Sequence, residues 1–146
     1  MGKDLSFEKY EKDCKQIREE NQELLRGFAE HLGKSGLKEK TINKHYQNVD
    51  VFLDYFLLYY EANTAAEGID MIGDYLSDFF IRKCMWSSPA QTKQTIASFK
   101  KFYAYMETIG KVTTEELQDM HEEIKELSGY WIDSARSYND PEEDWD

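Results

Sequence analysis

The chain has 146 residues, 40% of them apolar and 14% aromatic, and carries 18 Lys+Arg against 29 Asp+Glu for a net charge of -11. That length and apolar content describe one domain with a core of its own and exclude a wholly disordered chain. The acidity excludes a uniformly basic nucleic-acid binder, and no stretch reaches the roughly 20 apolar residues of a membrane span.

The first 20 residues are charged and hold no signal-peptide core. Their apolar marks Leu5, Phe7, Tyr10, Cys14 and Ile17 step by three and four, so they read as a helical extension. Asn21–Leu32 has a stronger face in Leu24, Leu25, Phe28 and Leu32, closed by Gly33. Lys38–Glu61 reads as one amphipathic helix, with Ile42, Tyr46, Val49, Phe52, Leu53, Phe56, Leu57 and Tyr60 on its inner face. Asn63-Thr64 ends it and caps a helix marked by Ile69, Ile72, Leu76, Phe79 and Phe80, running to about Cys84.

Trp86-Ser87-Ser88-Pro89 is a break in which Ser88 suits an N-cap and Pro89 the first helical position. The helix it opens carries Ile96, Phe99, Phe102, Tyr103 and Met106 inward and stops at Gly110. Thr113 and Glu116 have capping-box spacing. They start an acidic helix with a narrow stripe of Leu117, Met120, Ile124 and Leu127, which suits docking on a body or another helix. Residues 129–146 form an acidic tail with Trp131, Tyr138 and Trp145 among its acids. No strand signal exceeds four residues. The fold class is all-α, a compact bundle of about five or six helices. Its parts are an extension (1–20), a helical domain (21–112), an acidic helix (113–128) and a tail (129–146). Cys14 and Cys84 fit reduced thiols in a cytoplasmic protein.

Charge is unevenly spread. Residues 115–146 carry twelve acids against Lys125 and Arg136, leaving residues 1–114 nearly neutral. Residues 87–111 carry Lys93, Lys100, Lys101 and Lys111 against Glu107. Lys38, Lys40 and Lys44 mark the polar face of the earlier helix. The result is a weak basic stripe beside a strongly acidic end.

Gly36-Leu37, Lys40-Thr41-Ile42, Tyr46, Phe52 and Phe56, followed later by Ser88, Thr92, Ile96, Ser98-Phe99, Phe102-Tyr103, Tyr105-Met106 and Gly110, form a recognisable pattern. Over about Leu24–Val112 it resembles the N-terminal core-binding (SAM-like) domain of tyrosine recombinases and phage integrases. The resemblance implies a helical domain that grips one face of duplex DNA. It implies DNA-contact roles for Lys38, Lys40, Thr41, Lys44, Gln91, Lys93, Gln94, Lys100 and Lys101. The chain departs from the family after Gly110, where Lys111-Val112-Thr113-Thr114 replaces the usual Asn-Pro. None of His31, His45 and His121 is followed three residues later by Arg, so the family's catalytic His-x-x-Arg is absent.

The expectation is a non-catalytic DNA-binding protein associated with DNA integration or recombination, with no cofactor. No Cys or His spacing suits a metal, and no nucleophile or phosphate-loop motif occurs. The alternative is a protein-interaction module on the same scaffold, docking a partner through Leu117, Met120, Ile124, Leu127, Trp131 and Trp145.

Overall fold

Apolar residues repeating at three- and four-residue steps become helix along most of the chain. A computed structural model describes the backbone of residues 2–139 and the side chains of residues 6–138, and among these no strand occurs. Trp145 and the acids beyond residue 139 lie outside the described residues. The chain divides into two compact units, Met1–Gly68 and Ile69–Asp146. That division falls inside the 21–112 segment that the sequence presents as one domain.

In the first unit, helix α1 spans Gly2–Lys34 without a break. The expected boundary at residue 20 does not exist, because one buried register runs through it: Cys14, Ile17, Asn21, Leu25, Phe28 and Leu32. Polar Asn21 occupies an inward position and hides that continuity from a hydrophobicity reading. The helix ends at Gly36 rather than Gly33. Gly36 adopts φ +88, while Leu37 N–H reaches Leu32 C=O (3.3 Å) and Gly36 N–H reaches Gly33 C=O (3.1 Å). This is the paired closure of a left-handed C-terminal cap.

Helix α2 covers Glu39–Asp50 and packs on α1. The expected helix to Glu61 is not regular, since Val51–Phe56 widens into a π-helical turn. Its mark is the Leu57 N–H bonded five residues back to Phe52 C=O at 3.0 Å. The extra residue in the turn lets Phe52, Leu53, Phe56, Leu57 and Leu58 all be buried. Tyr60, expected on the inner face, is 69% exposed instead. Asn63 then closes the helix, its backbone and side-chain N–H groups both donating to Leu57 C=O. Thr64 and Glu67 form a reciprocal cap over a 3-10 turn, Glu67–Asp70.

The second unit is built from α3 (Ile72–Asp74), a π-helical turn (Tyr75–Phe79) and α4 (Phe80–Lys83), followed by α5 (Pro89–Thr108) and α6 (Thr114–Asn139). Tyr75 is the hub of its aromatic core, with ring centroids 6.1 Å from Phe79, 5.4 Å from Phe80 and 6.0 Å from Phe99. Gly110 (φ +76) ends α5 with the same pair of bonds that Gly36 makes. Thr113 and Glu116 exchange bonds of 2.9 and 3.0 Å to open α6.

α6 packs along α5 and against the α3–α4 path. It does not stop at residue 128. Met120, Ile124, Trp131 and Ala135 keep one buried stripe on both sides of Gly129, so the first half of the expected tail is helix. Leu127, expected in that stripe, is 42% exposed, and half-buried Ser128 holds the inward place.

Candidate nucleic-acid interface

α5 is set in register by its cap. Ser88 Oγ accepts the Gln91 N–H at 3.0 Å and Pro89 takes the first position. Phe99, Phe102, Tyr103 and Met106 then turn inward, with Thr92, Thr95 and Ser98 buried among them. Thr95 and Ser98 satisfy their hydroxyls on the Gln91 and Gln94 carbonyls of their own helix. The opposite face is left with Ala90, Lys93, Ala97, Lys100 and Ala104 in one row and Gln94 and Lys101 beside it, all exposed. No carboxylate lies in that row. Glu107 at its edge is half-buried and accepts the Thr114 hydroxyl at 3.0 Å. Among the described residues, Lys93, Lys100 and Lys101 have no ion-pair partner. Alanines between lysines give a low surface on which a phosphate group approaches without losing contact with either flank. Gln91 is half-buried and its backbone serves the cap.

The other candidates belong to the first unit. Lys38 is the N-cap residue of α2, and its side chain makes no capping bond. Lys40 and Lys44 are exposed one turn apart, and Thr41 is half-buried. The first-turn N–H groups of α2 therefore open between lysines, with Lys34 in the last turn of α1 before them. Glu39 sits in the same first turn and offsets part of this charge. The nine sequence-predicted contact residues thus fall into two sets, one in each unit.

Acids dominate elsewhere. Within the first unit, Asp54 accepts a 2.8 Å bond from Asn21 Nδ2, while Asn21 Oδ1 is buried with no hydrogen-bond partner. Asp50, one α-helical turn before Asp54, is pushed up to about 6 by burial, by the Asp54 charge and by a hydrogen bond between the two carboxyls. Within the second unit, burial and the charges of Asp70 and Asp74 raise the Glu123 carboxyl above its usual range. Tyr103, wholly buried, is held well above the usual phenol range by burial and by Asp70. Among the described residues, no group of three or more His, Cys, Asp or Glu side chains is arranged to hold a metal ion. Cys14 and Cys84 are free and buried, and burial pushes the Cys84 thiol up, away from the reactive thiolate. No helix among the described residues is long and apolar enough to cross a membrane.

The expected partner-docking stripe is corrected. Met120, Ile124 and Trp131 are 3%, 3% and 2% exposed and belong to the core of their own unit. Leu117 is half-buried, Leu127 is exposed and Trp145 lies outside the described residues. What α6 does present outward is a face that sequence reasoning missed. Glu115, Asp119, Glu122, Glu126, Tyr130, Asp133 and Ser137 follow one another at three- and four-residue steps and are all exposed. The signal was available in that spacing, but a search for apolar periodicity does not register it.

No family model matches the chain, and neither a curated protein nor a solved structure matches it.

Proposed function

We propose that the protein binds duplex DNA without catalysing a reaction on it, as a protein associated with DNA integration or recombination. The observation that carries the reading is the outer face of α5, which is acid-free and lysine-bearing in a chain of net charge -11. The sequence resemblance to the recombinase core-binding domain supports the same assignment and supplies its link to recombination. Lys93, Lys100 and Lys101 neutralise phosphates, the alanines permit close approach, and Gln94 donates to phosphate or sugar oxygens. In the first unit, Lys38, Lys40 and Lys44 act the same way around the start of α2. Such a surface positions the protein on a duplex and reads little sequence. The acids elsewhere oppose non-specific attraction, so the affinity is low and strongly salt-dependent.

The test is fluorescence anisotropy of a labelled duplex of about 30 base pairs with the full chain, at low and near-physiological salt. Substitution is preferable to cutting the chain at Gly110, because α6 contributes Met120, Ile124 and Trp131 to the core. Three phosphate contacts on α5 correspond to a log–log salt slope of about -2 to -3. The triple variant Lys93→Ala, Lys100→Ala, Lys101→Ala should remove that much slope and weaken binding about tenfold or more at low salt. Absence of binding at low salt by the folded wild-type chain sinks the reading.

A further inference from the structure

We infer that the outward face of α6 is a docking surface for a basic, apolar-bearing segment of a partner protein. This goes beyond DNA binding and uses a different face of the same unit.

α6 sorts its charges by side. Lys125 and Arg136 share one flank, whereas Glu115, Asp119, Glu122, Glu126 and Asp133 share the other. Asp133 pairs with Arg136 at 3.0 Å. Among the described residues, the other four acids of that flank have no ion-pair partner. Carboxylates three and four residues apart on one helix face repel one another. A cationic partner relieves that repulsion.

The surface is also apolar where a purely solvating face is not. Tyr130 and Tyr138 are 65% and 57% exposed, and with Asp133, Ser134 and Ser137 they line a shallow groove on α6. Leu127, 42% exposed, borders Tyr130 one turn earlier. Two large rings held in water on the helix that carries the acid row fit the stems and heads of Lys or Arg side chains, through apolar contact and cation–π attraction.

The occupant follows from the sign of the charge. A nucleic acid or an anionic lipid surface is repelled by this face. A second copy of the chain carries net charge -11 and is repelled as a whole. A Lys/Arg-rich protein segment with interspersed apolar side chains is attracted by both the acids and the rings.

The probe is a labelled amphipathic peptide of alternating Lys/Leu turns, about 15 residues long so as to cover four helical turns. A Lys/Ser peptide of equal charge is the control, and both are titrated with the full chain by anisotropy. The Lys/Leu peptide should bind at least tenfold more tightly than the control. Tyr130→Ser with Tyr138→Ser should abolish that difference, and Glu122→Gln with Glu126→Gln should weaken both peptides. All four positions are exposed, so thermal unfolding should be unchanged in these variants. Equal affinity for the two peptides overturns the inference, because it reduces the surface to counter-charge attraction. Retention of full Lys/Leu binding by the tyrosine variant also overturns it, as it places the peptide elsewhere. Concentration-dependent self-association of the full chain in sedimentation, lost in the tyrosine variant, overturns it in favour of a second copy. The duplex affinity of the tyrosine variant should equal that of the wild type, which separates this face from α5.

Discussion

Both units contain a π-helical turn, and they use it to hide different things. In the first, Val51–Phe56 carries Asp54 into half-burial against Asn21 and beside Asp50. In the second, Tyr75–Phe79 turns Tyr75, Leu76 and Phe79 inward, and its acid, Asp78, points out to a two-bond pairing with Arg82. A widened turn adds one residue without ending the helix, and the added residue shifts the register by about a third of a turn. Both turns bury rings, but the first also brings a charge near its core, whereas the second keeps its acid outside. The contribution of the first turn to stability should therefore depend on protonation, and that of the second on packing.

The largest effect tests the packing side of this contrast. Trp131 is 2% exposed on α6, and its ring lies 3.3 Å from where a Cβ on Gly73 would sit. Trp131→Ala removes a whole buried ring and should cost about 3–5 kcal/mol, read by chemical denaturation. A cost under about 1 kcal/mol would mean that α6 is an appendage and not a wall of the core.

The turn of the first unit should respond to pH through Asp50. The folded-state value of Asp50 lies near 6, above the ordinary carboxylate range, so ionising it costs more in the folded than in the unfolded chain. From this group, stability is fully present below about pH 4, falls as pH rises through 6, and is level above that. Asp50→Asn should remove the fall, and its amide donates to Asp54. Because water still reaches the pair, the expected gain at pH 7 is about 1–2 kcal/mol, vanishing as the pH approaches 4. Equal stability of variant and wild type from pH 4 to 8 would show that the two carboxyls do not share a proton.

The contrast between the two turns could not be read from the sequence, although most elements could. Caps announce themselves locally: Ser88-Pro89, Thr113 with Glu116, and Gly110 all act as their residue types require. The core face of α5 was legible for the same reason, since Phe99, Phe102, Tyr103 and Met106 keep strict helical spacing. A π-helical turn has no such local sign. It is dictated by how many residues must be buried at once, as with Phe56, Leu57 and Leu58, and that is decided by tertiary packing. Two polar or missing side chains at critical positions also misled the reading. Asn21 lies inward yet looks like a boundary, and Gly129 looks like a stop yet lies within a helix. The lysine face of α5 was legible as a charge pattern, while its acid-free, alanine-spaced surface required knowing which residues turn inward.

Gly129 gives the smallest and most local prediction. Nothing lies within 4 Å of a Cβ built on it, and it is not in a left-handed conformation. Gly129→Ala should therefore stabilise the protein by about 0.5–1 kcal/mol, mainly by restricting the unfolded chain. The gain requires a helical backbone at this position, so a loss on substitution would place a real break at residue 129. A break there would leave the second unit dependent on Met120 and Ile124 alone along α6, and Trp131→Ala would then lose most of its effect. The pair of variants thus fixes where the packed wall of the second unit ends. If both behave as expected, the groove between Tyr130 and Tyr138 stands on a continuous helix whose opposite side is locked into the core. Such a helix holds the two rings at a constant separation, the condition under which they select one partner geometry over another.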